Sequence, residues 1–139
     1  MDAKTGFEKA FLEVVGTVPS RNVPLSALSS FGIGGPADLF FEALNEDELA
    51  KAVALAFAEK FPFYVIGGGY NLLFDDAGYR GLIIRNRLEG VRPEGQCLNV
   101  LSGTSLACVL SEAVGAGLTG LEFLAGIPGT VGGAVYGNA

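Results

Sequence analysis

The sequence predicts one loop-rich domain of the α/β or α+β class, on three observations. A length of 139 residues suits a single domain that buries roughly two thirds of its unfolded surface. The 21 glycines exceed the usual share and gather in loops without a short period, which excludes collagen-like sequence. A strand, a helix and a second strand then follow one another between residues 39 and 66, in the order of a βαβ unit.

The elements follow in order. Thr5-Gly6-Phe7-Glu8 has the form of a capping box and predicts a helix with Phe7, Phe11, Val14 and Val15 on one face, ended by Gly16. Residues 17–30 hold Pro19 and Pro24 and are expected to run irregularly over the surface. A glycine-rich turn from Ser29 to Asp38 leads into the strand Leu39 to Ala43. Asn45 caps the best helix of the chain, with acids in its first turn and Leu49, Val53, Ala56 and Phe57 on its apolar side. Pro62 closes that helix, and Phe63 to Ile66 reads as a buried central strand.

Beyond the polar turn Asp75-Asp76-Ala77-Gly78, Leu82 to Arg85 is a further buried strand. Residues 91–96 are expected as a loop and Cys97 to Leu101 as a strand. Gly103-Thr104-Ser105 turns into a helix that buries Leu106, Val109, Leu110, Ala113 and Val114 and stops at Gly115 or Gly117. One short helical turn is expected within 118–125.

The chain is organised around Gly67-Gly68-Gly69, placed directly after a strand. Glycines there let the backbone turn with positive φ and gather its N–H groups into a concave anion site, most often for phosphate. A second glycine-rich run, Gly126 to Ala134, suggests a long phosphate-bearing ligand held at two places.

Composition removes several alternatives. The absence of histidine excludes Ser-His-Asp and Cys-His chemistry, His-ligated zinc and a histidyl-linked flavin. A net charge of −6 gives no basic footprint for nucleic acid or an anionic membrane. Cys97 and Cys108 form no CxxC pair and are expected as buried, reduced thiols. Neither a signal peptide nor an apolar run long enough for a membrane span is present, so the expected location is the cytoplasm. The mean hydropathy of +0.43 is high for a free domain and points to apolar surface available for association.

Other motifs fail in context. Gly115-Ala116-Gly117-Leu118-Thr119-Gly120 matches G-x-G-x-x-G but follows a helix instead of opening one, and reads as a helix stop. No G-K-[ST] occurs, which excludes a Walker-type phosphate loop. Asp75 and Asp76 read as solvated, Arg85 and Arg87 as surface ion-pairing groups, and Glu122 as a structural hydrogen-bonding acid.

Three long segments in register carry a resemblance: Ser30 to Asp38, Ile66 to Leu73, and Gly120 to Ala134. The chain after Asn22 resembles the UDP-N-acetylenolpyruvoylglucosamine reductase family, flavoenzymes that make UDP-N-acetylmuramate for peptidoglycan and thereby serve cell-wall growth, shape and division. The resemblance implies an α+β fold in two lobes, of the vanillyl-alcohol oxidase-like type. It implies non-covalent FAD between the lobes, NADPH as reductant of the complete enzyme, and a UDP-sugar substrate. The expected division is an N-terminal helix over 1–20 and an FAD-binding domain over 21–139.

The cofactor contacts implied by the resemblance are Gly67, Gly68, Gly69, Tyr70, Asn71 and Leu72 around the pyrophosphate. Gly103 joins them, with Ile127, Pro128, Gly129, Thr130, Gly132, Gly133 and Ala134 where side chains would obstruct the flavin. Tyr70 departs from the family, which has serine there, and must point away or reshape the loop. The family's catalytic groups and substrate domain would lie past Ala139, so no catalytic residue is assigned. The expectation is an incomplete flavin domain that does not turn over alone; the alternative is a non-catalytic remnant that keeps the fold without the cofactor.

Overall fold

The computed structural model describes residues 1–138, so Ala139, the last residue of the expected flavin domain, lies outside the described residues. The fold is α+β. The first helix, α1 (Ala3–Val15), begins three residues earlier than the capping box suggests, because Asp2 is the cap and accepts from the Thr5 N–H at 2.7 Å. Gly16 ends it in the left-handed region at φ 89°, its N–H on the Leu12 carbonyl. Phe7 and Phe11 are buried, but Val14 faces solvent.

The segment expected to be irregular contains a strand, β1 (Ser20–Pro24), followed by a 3-10 turn at Leu25–Leu28. Proline is admissible in β1 because the strand is an edge, where a missing N–H costs no ladder bond. β1 runs antiparallel to β2 (Pro36–Ala43). Next comes α2 (Glu46–Ala58), where the Asn45 side chain accepts from the Glu48 N–H at 2.9 Å. Its buried residues are Ala52 and Ala56, whereas Phe57 is 77% exposed, one position too far round the helix.

β3 (Phe63–Ile66) and β4 (Tyr79–Asn86) complete a sheet of order β1-β2-β4-β3, with β4 parallel to both neighbours. The central strand is therefore β4, and β3 is an edge. That is why Tyr64 and Val65 are exposed while Leu82, Ile83 and Ile84 are fully buried.

The sheet is apolar on both faces. Leu39, Phe41, Ala43, Leu82 and Ile84 meet Phe7 and Phe11 of α1 and Ala52 and Ala56 of α2. Phe61 stacks on Phe7 with ring centroids 4.1 Å apart, and Phe11 meets Phe41 edge-on at 5.0 Å. The opposite face packs Ala37, Ile66 and Ile83 on Leu25, with Leu28, Leu72 and Phe74 around them. A register irregularity between Ala37 and Leu39 lets Ala37 serve this second face while Leu39 serves the first.

The rest forms a smaller unit. Residues expected as a loop make β5 (Val91–Glu94), which pairs antiparallel with β6 (Cys97–Val100) across a turn with Gly95 at φ 61°. Ser105 caps α3 (Leu106–Gly115), which buries Leu106, Val109 and Ala113 and leaves Val114 exposed. Cys97 and Cys108 are both exposed, because Cys97 lies on the open side of a two-stranded ribbon and Cys108 on the outer side of α3. The expected helical turn is a 3-10 turn at Glu122–Leu124. Gly132 and Gly133 lie within a short helix, α4 (Val131–Gly137), not in a loop. Among the described residues no helix is long and apolar enough to cross a membrane.

Candidate functional site

The site begins where β3 ends. Leu72 and Phe74 are packed against the second face of the sheet, so the chain leaving Ile66 must cross the carboxyl end of β3 and return. The carbonyls of this crossing are tied from one side. The Ser30 N–H donates to the Gly69 carbonyl at 3.0 Å, the Ser29 hydroxyl to the Leu72 carbonyl at 2.5 Å, and the Ser30 hydroxyl to the Tyr70 carbonyl at 3.4 Å. Gly69 makes this approach possible: its φ is +75°, and a β-carbon there would lie 1.8 Å from the Leu28 carbonyl oxygen.

With its carbonyls held by residues 29 and 30, the loop keeps its N–H groups uncommitted. Among the described residues, no protein acceptor takes the N–H of Gly67, Gly68, Gly69, Tyr70 or Asn71. Successive free main-chain donors of this kind form an anion-binding concavity.

The second run lies directly against this loop. A β-carbon on Gly67 would lie 2.6 Å from the Thr130 Oγ1, and one on Gly68 would be 4.0 Å from the Gly129 Cα. Between the two runs lies a cleft of about 700 Å³. Gly67, Gly68, Gly69, Tyr70, Asn71, Leu72, Ile127, Pro128, Gly129, Thr130, Gly132, Gly133 and Ala134 all line it.

Gly103 does not line the cleft; it stands behind the wall. A β-carbon there would lie 2.6 Å from the Leu88 N and 2.9 Å from the Asn86 carbonyl oxygen, so only glycine lets residues 102–104 pass the end of β4. That passage positions α4. Asn86 donates to the Ser102 hydroxyl at 2.7 Å, the Ser102 carbonyl accepts from the Gly132 N–H at 2.8 Å, and the Thr104 carbonyl accepts from the Val131 N–H at 2.9 Å. The first N–H groups of α4 are thus spent on the protein, and Gly133 donates to the Thr130 hydroxyl at 3.3 Å. The uncommitted donors therefore come from the Gly67 loop and not from the start of α4.

Sequence reasoning missed several contributors. Tyr64, Val65, Asn86, Leu106 and Tyr136 also line the cleft, and Ser29 and Ser30 hold the loop from outside it. Ser29 and Ser30 carried no local signal, since the carbonyls that they reach belong to Leu72 and Tyr70, some forty residues on. Glu122 accepts from the Gly120 N–H at 2.8 Å, and Arg85 and Arg87 both pair with Glu42, as their sequence positions suggested.

Among the described residues, none with a charged side chain lines the cleft. In a chain of net charge −6, a bound phosphate would be held by main-chain dipoles and not by a cation.

The sequence model of the FAD binding domain family matches residues 37–139. The chain belongs to the FAD binding domain family. It is 46% identical over 120 residues to a UDP-N-acetylenolpyruvoylglucosamine reductase of Solibacter usitatus, covering 86% of this chain and 38% of that protein. The reductase of Protochlamydia amoebophila is 40% identical over 119 residues, covering 85% and 40%. Among solved structures, that of UDP-N-acetylenolpyruvylglucosamine reductase from Thermus caldophilus matches with a TM-score of 0.64 at 37% identity, over 83% of this chain and 40% of that one. This FAD binding domain chain spans about two fifths of the length of the curated relatives it matches.

The cleft fits such a cofactor. A glycine loop with free N–H groups suits a pyrophosphate, and Gly129, which has no side chain on the opposite wall, admits a flat ring system close to the backbone.

Proposed function

We propose that this chain is the flavin-binding part of a UDP-N-acetylenolpyruvoylglucosamine reductase, with residues 21–139 forming the flavin-binding unit beside the N-terminal helix. The complete protein would be an NADPH-dependent oxidoreductase acting on an enolpyruvyl ether of a UDP-sugar, in the cytoplasm, for peptidoglycan synthesis. The observation that carries this reading is the run of uncommitted N–H donors from Gly67 to Asn71, in a loop that lines one cleft together with a second glycine-rich segment.

Gly67, Gly68, Gly69, Tyr70 and Asn71 would hold the FAD pyrophosphate through their N–H groups. Leu72 anchors that loop to the sheet. Ile127 to Thr130 and Gly132 to Ala134 would flank the flavin end, with Gly103 supporting them from behind. Bound FAD supplies hydride transfer between the nicotinamide and the substrate, chemistry that no side chain of this chain provides. The apolar residues Ile66, Leu106 and Ile127 would exclude water from the cleft. Turnover would require residues outside this chain, so the chain alone binds FAD without catalysis.

Exposed Phe123, Val135 and Tyr136 give the α3–α4 side an apolar surface suited to association. The alternative, a remnant without cofactor, has one observation in its favour: the Tyr70 ring rests on Gly68, inside the cleft. The test is to denature the purified protein and identify the released compound by mass. FAD supports the reading, and a colourless, folded protein that releases no flavin supports the remnant.

A further inference from the structure

The Tyr70 ring packs back against Gly68 of its own loop. A β-carbon on Gly68 would be 2.7 Å from its Cε2 and 2.8 Å from its Cδ2, so the ring uses space that only glycine at position 68 leaves open. The same side of Gly68 faces the Gly129 Cα at 4.0 Å. The ring thus occupies part of the cleft between Gly68 and Gly129, on the loop that carries the uncommitted N–H groups of Gly67 to Asn71.

Nothing fixes it there strongly. Tyr70 is 53% exposed, and among the described residues its hydroxyl makes no hydrogen bond to protein. The Tyr70 main chain, by contrast, is anchored, because its carbonyl accepts from the Ser30 hydroxyl and the neighbouring Gly69 carbonyl from the Ser30 N–H. The ring can therefore swing about its own side-chain torsions while the loop stays in place. Rotamer changes of exposed side chains are fast.

We infer that Tyr70 is a swinging cover over the phosphate cradle, which must leave Gly68 before a dinucleotide pyrophosphate reaches the N–H groups of the loop. The inference rests on the proposed flavin binding and adds to it a residue that controls entry. With the ring down, the binding-competent fraction falls, and the apparent dissociation constant rises by the inverse of that fraction. Ligands without a pyrophosphate do not need the cradle, so the cover acts selectively on dinucleotides.

The test is stopped-flow association of FAD with the full chain, read by flavin fluorescence, for wild type, Tyr70→Ala and Tyr70→Phe, with thermal melts to show that all three fold. The expected result is association roughly tenfold faster, with tighter affinity, for Tyr70→Ala. Tyr70→Phe keeps the ring and should behave as wild type. Binding by Tyr70→Ala alone would support the cover in its strongest form.

Slower or weaker binding by Tyr70→Ala, with Tyr70→Phe normal, would overturn the inference by making the ring a stacking partner. Loss in both variants would overturn it by making the hydroxyl a ligand. Equal rates in all three would overturn it while leaving flavin binding intact. Absence of binding in all three folded proteins would remove the flavin reading itself.

Discussion

Gly67 and Thr130 touch across the cleft so closely that a β-carbon on Gly67 would lie 2.6 Å from the Thr130 Oγ1. That hydroxyl also caps α4, accepting from the Gly133 N–H. One contact thus joins the loop after β3 to the helix that forms the opposite wall. Gly67→Ala should push the Thr130 hydroxyl off its cap and cost about 1 kcal/mol. Urea unfolding of the two single variants and of Gly67→Ala/Thr130→Ala forms the check. The double variant should lose less than the sum of the singles, because removing Oγ1 makes room for the new carbon.

Gly69→Ala should be far more damaging. The substitution requires a side chain at φ +75° and places its β-carbon 1.8 Å from a main-chain oxygen that cannot rotate away. Left-handed strain and the displaced Leu28 backbone together predict a loss of about 2–3 kcal/mol or more, measured by denaturant midpoint.

Ser29→Ala removes the donor on the Leu72 carbonyl and should cost about 1 kcal/mol. Its effect on FAD affinity should exceed its effect on stability, because the freed loop no longer holds its uncommitted N–H groups in a fixed arrangement. Isothermal titration beside thermal melting separates the two quantities.

The ion pair of Glu8 and Arg21 gives a pH dependence. Glu8 is buried and accepts two hydrogen bonds from the Arg21 guanidinium, one of them 2.6 Å long at Nε. These bonds, against the opposing cost of burial, hold its carboxyl below the ordinary glutamate range; Lys4 adds to the lowering and Asp2 opposes it. The folded value is the lower one, so this stabilisation is present above the ordinary range and is lost as pH falls through the folded value. The stability gap between wild type and Glu8→Gln should therefore be widest near neutral pH and shrink at about pH 3, as urea unfolding at the two pH values would show.

Local signals made much of this molecule legible. Asn45, Ser105 and Gly16 mark helix ends through side-chain oxygens or a left-handed residue, and each lies where such a residue belongs. The glycine loop after Ile66 was legible for the same reason. Tertiary context set the rest. Nothing in Phe63 to Ile66 says that β4 will insert between β2 and β3 and leave β3 at the edge. Arg92, Pro93 and Glu94 have poor strand propensity and pair only because β6 lies opposite. Gly132 and Gly133 are weak helix formers, held in α4 by the Thr130 cap and the Ser102 carbonyl. Gly103 carried the right residue type, but its close approach is to the Asn86–Leu88 backbone and not to the cleft.

The central claim, that two glycine runs form one dinucleotide-flavin cleft, is tested most directly by titrating the purified chain with FAD, with FMN and NADPH as controls and flavin fluorescence as the signal for the flavins. The account predicts saturable FAD binding, much weaker FMN binding because FMN lacks the pyrophosphate, and loss of FAD affinity in Gly68→Val. A folded chain that binds FAD no better than FMN, or that binds neither, would contradict it.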